Sequence, residues 1–313
     1  GLRVVIGFVQ DTDGARPLVI IDSTTFSGNS TDNGDGGGAA IQHGDLQMSA
    51  STFSDNHATG ENARGGGLAM RAPYPDELPG SRDAQFGSVS FSLNSATSSG
   101  GGAEIEAPGI AELVDLEFVD NTSGAWGGGA FIQSGFAGLD RSLVTGNTAV
   151  LGGGVFFDRG GPSPSAALTR STVAGNSASM HGGGVAIDDT AVVIDNSTIT
   201  GNTAAEGGGV SVGVDPMDEF ELLTLRASTL ASNAAPVGAN AVVYEGGLTT
   251  DRSIVADPLG GGVNCSAFPV SLTPAGYSFL ADASCGVAAT DTVSATDPLL
   301  GPLADNGGTT PTR

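Results

Sequence analysis

Residues 115–132 read DLEFVDNTSGAWGGGAFI: a β-type phrase closing on Asn121, a short turn, three glycines, and the start of a second apolar strand. The same pattern recurs along most of the chain. Glycine triplets stand at Gly36–Gly38, Gly65–Gly67, Gly100–Gly102, Gly127–Gly129, Gly152–Gly154, Gly182–Gly184 and Gly207–Gly209, with a worn copy at Gly238-Ala239-Asn240. Ahead of each sits the closing asparagine of a phrase such as FSGN or FVDN: Asn29, Asn56, Asn94, Asn121, Asn147, Asn176, Asn202 and Asn233. RSIVAD, ending at Asp257, reads as a ninth copy with Ile254 in the apolar place. A period of about 25 to 35 residues without helical patterning is coil length for a three-stranded β-helix.

Three apolar columns follow from aligning the copies. Three residues before the asparagine stand Phe26, Phe53, Phe91, Phe118, Val144, Val173, Ile199 and Leu230. After the triplet, alternate residues such as Ala130 and Ile132 or Val185 and Ile187 mark one inward face, because side chains alternate along a strand. A third strand precedes the phrase, seen in Leu46, Leu113, Leu139, Leu168, Val193, Leu223 and Leu248. Like residues then stack on like at about 4.8 Å per coil. An inward asparagine column can satisfy its amides from coil to coil, with the preceding Gly or Asp supplying the bend.

These columns predict an all-β chain, a right-handed parallel β-helix of about nine or ten coils, roughly 45 Å long. Residues 1–20 read as a first coil or N-terminal edge, 21–257 as the repeat, and 258–313 as a capping segment. RVVIGFV and PLVII, within residues 1–20, look like strand rather than a polar cap, so head-to-tail stacking of copies is expected at that end. Cys265 and Cys285 have a spacing that suits a local disulfide worth about 3 kcal/mol; two free thiols are the alternative. A disulfide would place the protein outside the cytosol.

The chain has 313 residues, no lysine, 51 glycines and a formal charge of −23. Such an acidic surface excludes nucleic acid and anionic membrane as partners, since both require clustered cations. No apolar run is long enough to span a bilayer. Any membrane association would go through an anchor outside these residues. The missing initiator Met is read as the mark of a mature or trimmed piece.

The pairing of FSGN, FSDN, FSLN and FVDN with GGGA, GGGL and GGGV, over residues 21 to 257, resembles the FxxN and GG-aliphatic motifs of chlamydial-type polymorphic outer-membrane protein repeats. GVNCSAFPVSLTPAGYSFLADASCG, followed by TDPLLGPLADNGGTTPTR, is similar to the C-terminal module of bacterial "choice-of-anchor Q" surface proteins. The resemblance implies an exported, surface-displayed protein, and it brings no catalytic residues with it.

A β-helix is also a scaffold for polysaccharide lyases and hydrolases, which need carboxylates in a common groove. The outward positions after the triplets, Ala40, Ala69, Glu104, Phe131, Phe156, Ala186 and Ser211, supply one carboxylate and read as a poor active site. His43, His57 and His181 lie near turns of separate coils. Interruptions after the second strand gather Asp76, Glu77, Asp188, Asp189, Asp215, Asp218 and Glu219 on one edge, a candidate for contacting a partner or a cation. Asp11 and Asp13, and Asp32 with Asp35, have calcium-like oxygen spacing but lack the distal Glu of an EF-hand. No cofactor is required, and calcium is the one cation the pattern admits. Outward Thr25, Thr52, Thr172, Thr198 and Thr229 resemble the Thr ranks of ice-binding solenoids, although Glu117 and Leu143 interrupt them. The reading is a non-enzymatic cell-surface scaffold or adhesin. Its partners are other copies, stacked head to tail into a filament, or a cell-surface or polysaccharide ligand, and polysaccharide binding or cleavage is the alternative.

Overall fold

The computed structural model describes residues 18–32, 34–42, 44–71, 83–159, 165–213, 221–268 and 271–313. The Phe-bearing strands stack in parallel and in register: Phe26 on Phe53, Phe53 on Phe91, Phe91 on Phe118, Phe118 on Val144. The four rings form a continuous pile with centroids 4.5, 5.0 and 5.0 Å apart. This column continues to Leu280 and belongs to an 11-stranded sheet. The second and third strands of each coil belong to one 17-stranded sheet, because Ala103–Val114 and Ala130–Asp140 run unbroken through both. Every strand pairing in these two sheets is parallel, giving a β-solenoid of about nine turns with the expected parallel β-helix architecture.

Two alignments differ from the sequence reading. The inward residues of the third strand form two columns. Leu46, Leu223 and Leu248 share one with Ala84, Ala111, Ala137, Ala166 and Val192; Leu113, Leu139 and Leu168 share the other with Ile194. Val193 therefore points outward, between buried Val192 and Ile194. A run of three β-branched residues hides which of them faces in, since period two fits either choice. In RSIVAD the inward residue is Val255, paired with Leu230, while Ile254 takes the outward Thr place. The phrase is shifted by one residue, and Asp257 is a bend residue at φ 50°.

The asparagines form a buried ladder. The backbone N–H and side-chain amide of Asn94 both donate to Oδ1 of Asn121, each at 3.0 Å, and Asn121 does the same to Asn147 at 2.9 Å. The pattern holds from Asn29 to Asn233. Beyond the worn triplet it changes side: Asn233 donates to Asn240, Asn240 to Asn264, and Asn264 to the Asp282 carboxylate at 2.8 Å. A second ladder of buried serines was not singled out in the sequence. The N–H groups of Ser142, Ser171, Ser197, Ser228 and Ser253 each donate to the hydroxyl of the serine one coil on, at 3.0–3.2 Å.

Each glycine of a triplet has its own steric reason. At Gly100, φ is 63°, and a Cβ would lie 2.5 Å from the Ala103 carbonyl carbon. At Gly101 it would lie 2.3 Å from the Gly128 oxygen of the next coil, and at Gly102 2.5 Å from the Gly129 oxygen. The bend before the asparagine is also left-handed, at Gly28, Asp55, Leu93, Asp120 and their successors. Parallel stacking passes Asp257 without a break, through Cys265–Ala267, Phe279–Leu280 and Thr292–Val293. Cys265 and Cys285 are joined in a disulfide with Cα atoms 4.9 Å apart.

Leu93 holds φ 57° although it is 58% exposed, so it bears left-handed strain with little burial in return. Leu93→Gly is expected to stabilise the protein by about 1 kcal/mol, and Gly101→Ala to destabilise it by more than about 3 kcal/mol. Guanidinium unfolding followed by circular dichroism measures both. Equal midpoints for the two variants would refute the steric account of the corners.

Candidate functional site

On the strand after each triplet, the outward column runs Ala40, Ala69, Glu104, Phe131, Phe156, Ala186, Ser211 and Val242 in continuous register. The sequence reads these as an open face, but all eight are buried. Two flanking columns wall them in. One is the residue before the triplet, with Ser99, Trp126 and Leu151 bridged in sequence and His181 bridged to Glu206. The other follows the strand, with Glu106, Gln133 and Asp158 in register. The outward column is thus a buried row between two flanking ones, a furrow filled by its own side chains.

At the N-terminal end of this furrow five ionisable groups converge. Glu104 is fully buried, accepts a hydrogen bond from the Ser99 hydroxyl, and accepts from Arg64 Nη1 at 3.2 Å. The same Arg64 nitrogen donates to Glu106 at 3.3 Å. Arg71 Nε lies 3.4 Å from Glu106 and 3.5 Å from Glu104, and its Nη1 donates to Asp35 at 2.7 Å. Burial pushes the Glu104 carboxyl up to about 8; the Ser99 hydroxyl and Arg64 pull it down, Glu106 raises it further, and Arg71 opposes. Burial thus favours the protonated form of Glu104 beside two guanidinium groups. The outward column holds one carboxylate, as read from the sequence, and Glu106 joins it from the flanking column. Glu106 follows Glu104 by two residues and so shares its face, while Arg64 arrives from 42 residues before Glu106 and Arg71 from 35, and Asp35 joins through Arg71 from a coil earlier still. The alternation in AEIEA was a usable signal for Glu106; the inter-coil partners were not visible without the register.

Next along the furrow is an aromatic platform. Glu104 pairs in register with Phe131, and Ser99 with Trp126. The Trp126 ring centroid lies 6.1 Å from Phe131 and 6.4 Å from Phe156, whose own rings stack at 5.6 Å. Both phenylalanines are buried, whereas Trp126 is 39% exposed. Farther on, His181 meets the edge of Tyr244 at 5.4 Å, and Tyr244 stacks on Phe268 at 5.8 Å. A separate concavity of about 370 Å³ lies outside the third strand, around Gly87 and lined by Gln47, Gln85 and Glu112.

Asp189 accepts from Arg159 at 2.9 Å, and its N–H donates to the Glu221 carboxylate at 3.1 Å. Glu221 is buried, and burial raises its pKa; it belongs to this edge although the sequence reading passed over it. Asp188 begins the turn beside Asp189. Asp76, Glu77, Asp215, Asp218 and Glu219 lie outside the described residues, as do Asp11, Asp13 and His43. Asp35 is engaged by Arg71 and by the Arg64 amide, and Asp32 accepts from Thr59 at 3.5 Å. Among the described residues no group of three or more His, Cys, Asp or Glu is arranged to hold a metal ion. The His57 ring sits between Ser95 at 2.8 Å and Asp55 at 3.2 Å. No helix among the described residues is long and apolar enough to cross a membrane.

In comparisons with known proteins, no protein-family model, curated protein or solved structure matches the chain. Its class therefore rests on the fold: a parallel β-helix repeat protein.

A carboxyl whose folded pKa lies above its unfolded value of 4.5 binds more protons in the folded state. Its contribution to stability is full below that value and is lost as pH rises towards about 8. Glu104→Gln removes the titration. The melting temperature of the variant relative to the native protein is therefore expected to climb between pH 5 and pH 8, measured by calorimetry. A difference that stays constant over this range would show that the arginines keep Glu104 ionised throughout.

Proposed function

We propose that the protein is a non-enzymatic solenoid scaffold of the exported, surface-displayed kind, and that the furrow outside its glycine-flanked strands binds a neutral saccharide chain. The observation that carries this is the half-exposed Trp126 on two buried phenylalanines, directly beside the cluster of Arg64, Arg71, Glu104 and Glu106. An aromatic face offers a flat apolar surface for the C–H side of a sugar ring. Carboxylates and guanidinium groups at its edge offer the acceptors and donors that hydroxyls need. Coils repeat at about 4.8 Å, close to the length of one pyranose unit, so successive coils can address successive sugars. The formal charge of −23 repels polyuronates and sulfated glycans, which favours a neutral chain.

Export is supported by the Cys265–Cys285 disulfide, a bond that persists in oxidising compartments. The likeness of the FxxN and glycine motifs to polymorphic outer-membrane protein repeats, and of the tail to choice-of-anchor Q proteins, supports display at a cell surface. Cleavage of the saccharide is the less favoured reading, because Glu104 is fully buried beneath its arginine partners and cannot reach a glycosidic oxygen from there.

The chain has a single tryptophan, so its fluorescence reports this site alone. Titration with neutral β-linked oligosaccharides is expected to quench and shift the emission, with longer chains binding tighter and oligouronates weaker. Trp126→Phe should keep most of the affinity measured by calorimetry and Trp126→Ala should lose at least tenfold, with unchanged melting temperatures. A saccharide panel that neither shifts the emission nor binds by calorimetry would sink the proposal, and release of reducing ends would favour the enzymatic alternative.

A further inference from the structure

The outward row of the Phe-bearing sheet changes character along the stack. Thr25, Thr52, Ser90, Glu117, Leu143, Thr172, Thr198 and Thr229 occupy equivalent places. Thr25 is exposed and Thr52 and Leu143 are half-buried, yet Thr172 is 0% exposed and Thr198 and Thr200 are buried. Residues 310–313 bond to two of them, Thr172 and Thr200. The Thr310 hydroxyl donates to the Arg170 carbonyl at 3.2 Å, and the Thr172 hydroxyl donates to the Pro311 carbonyl. Arg313 Nη1 reaches Thr200 at 3.1 Å and Ser232 at 2.5 Å, which lie in successive coils.

This short segment is carried on an arm with little hold of its own. Residues 301–309 are all exposed, and Leu299 is 84% exposed. The hydrogen bonds within 294–309 are local, such as Leu299 N–H to Asp297 and Gly307 N–H to Asp305. An antiparallel bridge between Ala304 and Thr312 turns the last residues back on the arm. Among the described residues no carboxylate lies in ion-pair range of Arg313, which is bonded to two hydroxyls and the Gly301 carbonyl.

We propose that residues 310–313 are an exchangeable ligand and that the outer face of the Phe-bearing sheet from Arg170 to Ser232 is their receptor, so that the arm of one copy docks on a second copy. A footprint of four residues binds weakly, and within one chain the exposed arm holds it in place through an effective concentration in the millimolar range. When copies crowd to comparable concentration, as on a surface, docking in trans competes with docking in cis. Exchange preserves every contact, as in domain swapping. A reciprocal exchange closes a dimer, and a one-way exchange propagates a chain of copies.

The test uses two variants of the 313-residue chain with exchanged charge. Arg313→Glu leaves an acidic arm that Thr200 and Ser232 no longer hold through a guanidinium. Thr200→Lys with Ser232→Lys makes a basic receptor that repels its own Arg313. Alone, each is expected to sediment as a monomer with the native melting temperature, and to lose hydrogen-exchange protection over 310–313. Mixed at equal millimolar concentration, each arm finds a matching receptor only on the other variant, so a one-to-one complex is expected by small-angle X-ray scattering. All three substitutions in one chain should restore protection in cis. A mixture that stays monomeric while the combined variant regains protection would overturn exchange. A combined variant that does not regain protection would overturn the docking itself.

Discussion

The structure depends on the close approach of successive coils at the glycine corner. There the Gly101 N–H donates to the Gly127 carbonyl at 3.1 Å, and Gly102 donates to Gly128 at 3.1 Å, with no room for a Cβ between coils. This contact fixes the register on either side. The asparagine that precedes it lies inside the corner, and the strand that follows starts at a defined place. Because the corner is the same in each coil, errors of register do not accumulate, and Phe26 to Phe118 can pile face to face over four coils. Where the triplet wears to Gly238-Ala239-Asn240, the constraint relaxes and Asn240 itself enters the amide ladder. The side chain that replaces a glycine takes up the hydrogen bonding of the column it displaces.

How much of this was legible in the sequence follows from which features repeat at fixed offsets within a coil. Phe, Asn and Gly stand at constant distances from one another, so their columns and the solenoid fold could be read directly. The serine ladder stands at an equally constant offset, in RSLVTGN and RSTVAGN, but serine is common on exposed strands and its burial is decided by the corner that precedes it. That corner places Asp115, Arg141, Arg170 and Arg252 in the left-handed region, a conformation that these residue types do not announce. Val193 was misplaced because its neighbours are equally apolar. The length of the interruptions between second and third strand varies, so contacts across coils, such as Arg71 with Glu106, cannot be counted along the chain.

The candidate site was the least legible part, for a related reason. A strand in an ordinary half-buried sheet has one face in and one face out, and that rule assigned Glu104 to solvent. In a coil with sharp corners, residues just before and just after the strand stand up as walls, and the outward column becomes a floor. A lone outward carboxylate thereby becomes a buried one and recruits its partners: Ser99 from its own coil, and Arg64 and Arg71 from the preceding one. The same geometry converts outward Phe131 and Phe156 from exposed hydrophobics into the support of a tryptophan.

A charge cluster under arginines and an aromatic platform could each be explained as stability alone, so their adjacency matters. Buried ion clusters are poor stabilisers, since desolvation offsets most of the attraction. A solenoid that needed only closure over Ala40, Ala69 and Ala186 manages it with alanine. Replacing alanine by glutamate and phenylalanine at neighbouring places in this column, Glu104 and Phe131, adds cost in one and bulk in the other. Neither is required by the corner, the ladder or the core. The bulk supports a ring that remains half in solvent, and the costly carboxyl orients two of the few cations on a strongly acidic chain beside it. The proposed recognition of a saccharide at that face would account for both departures with one cause, whereas packing requires a separate reason for each.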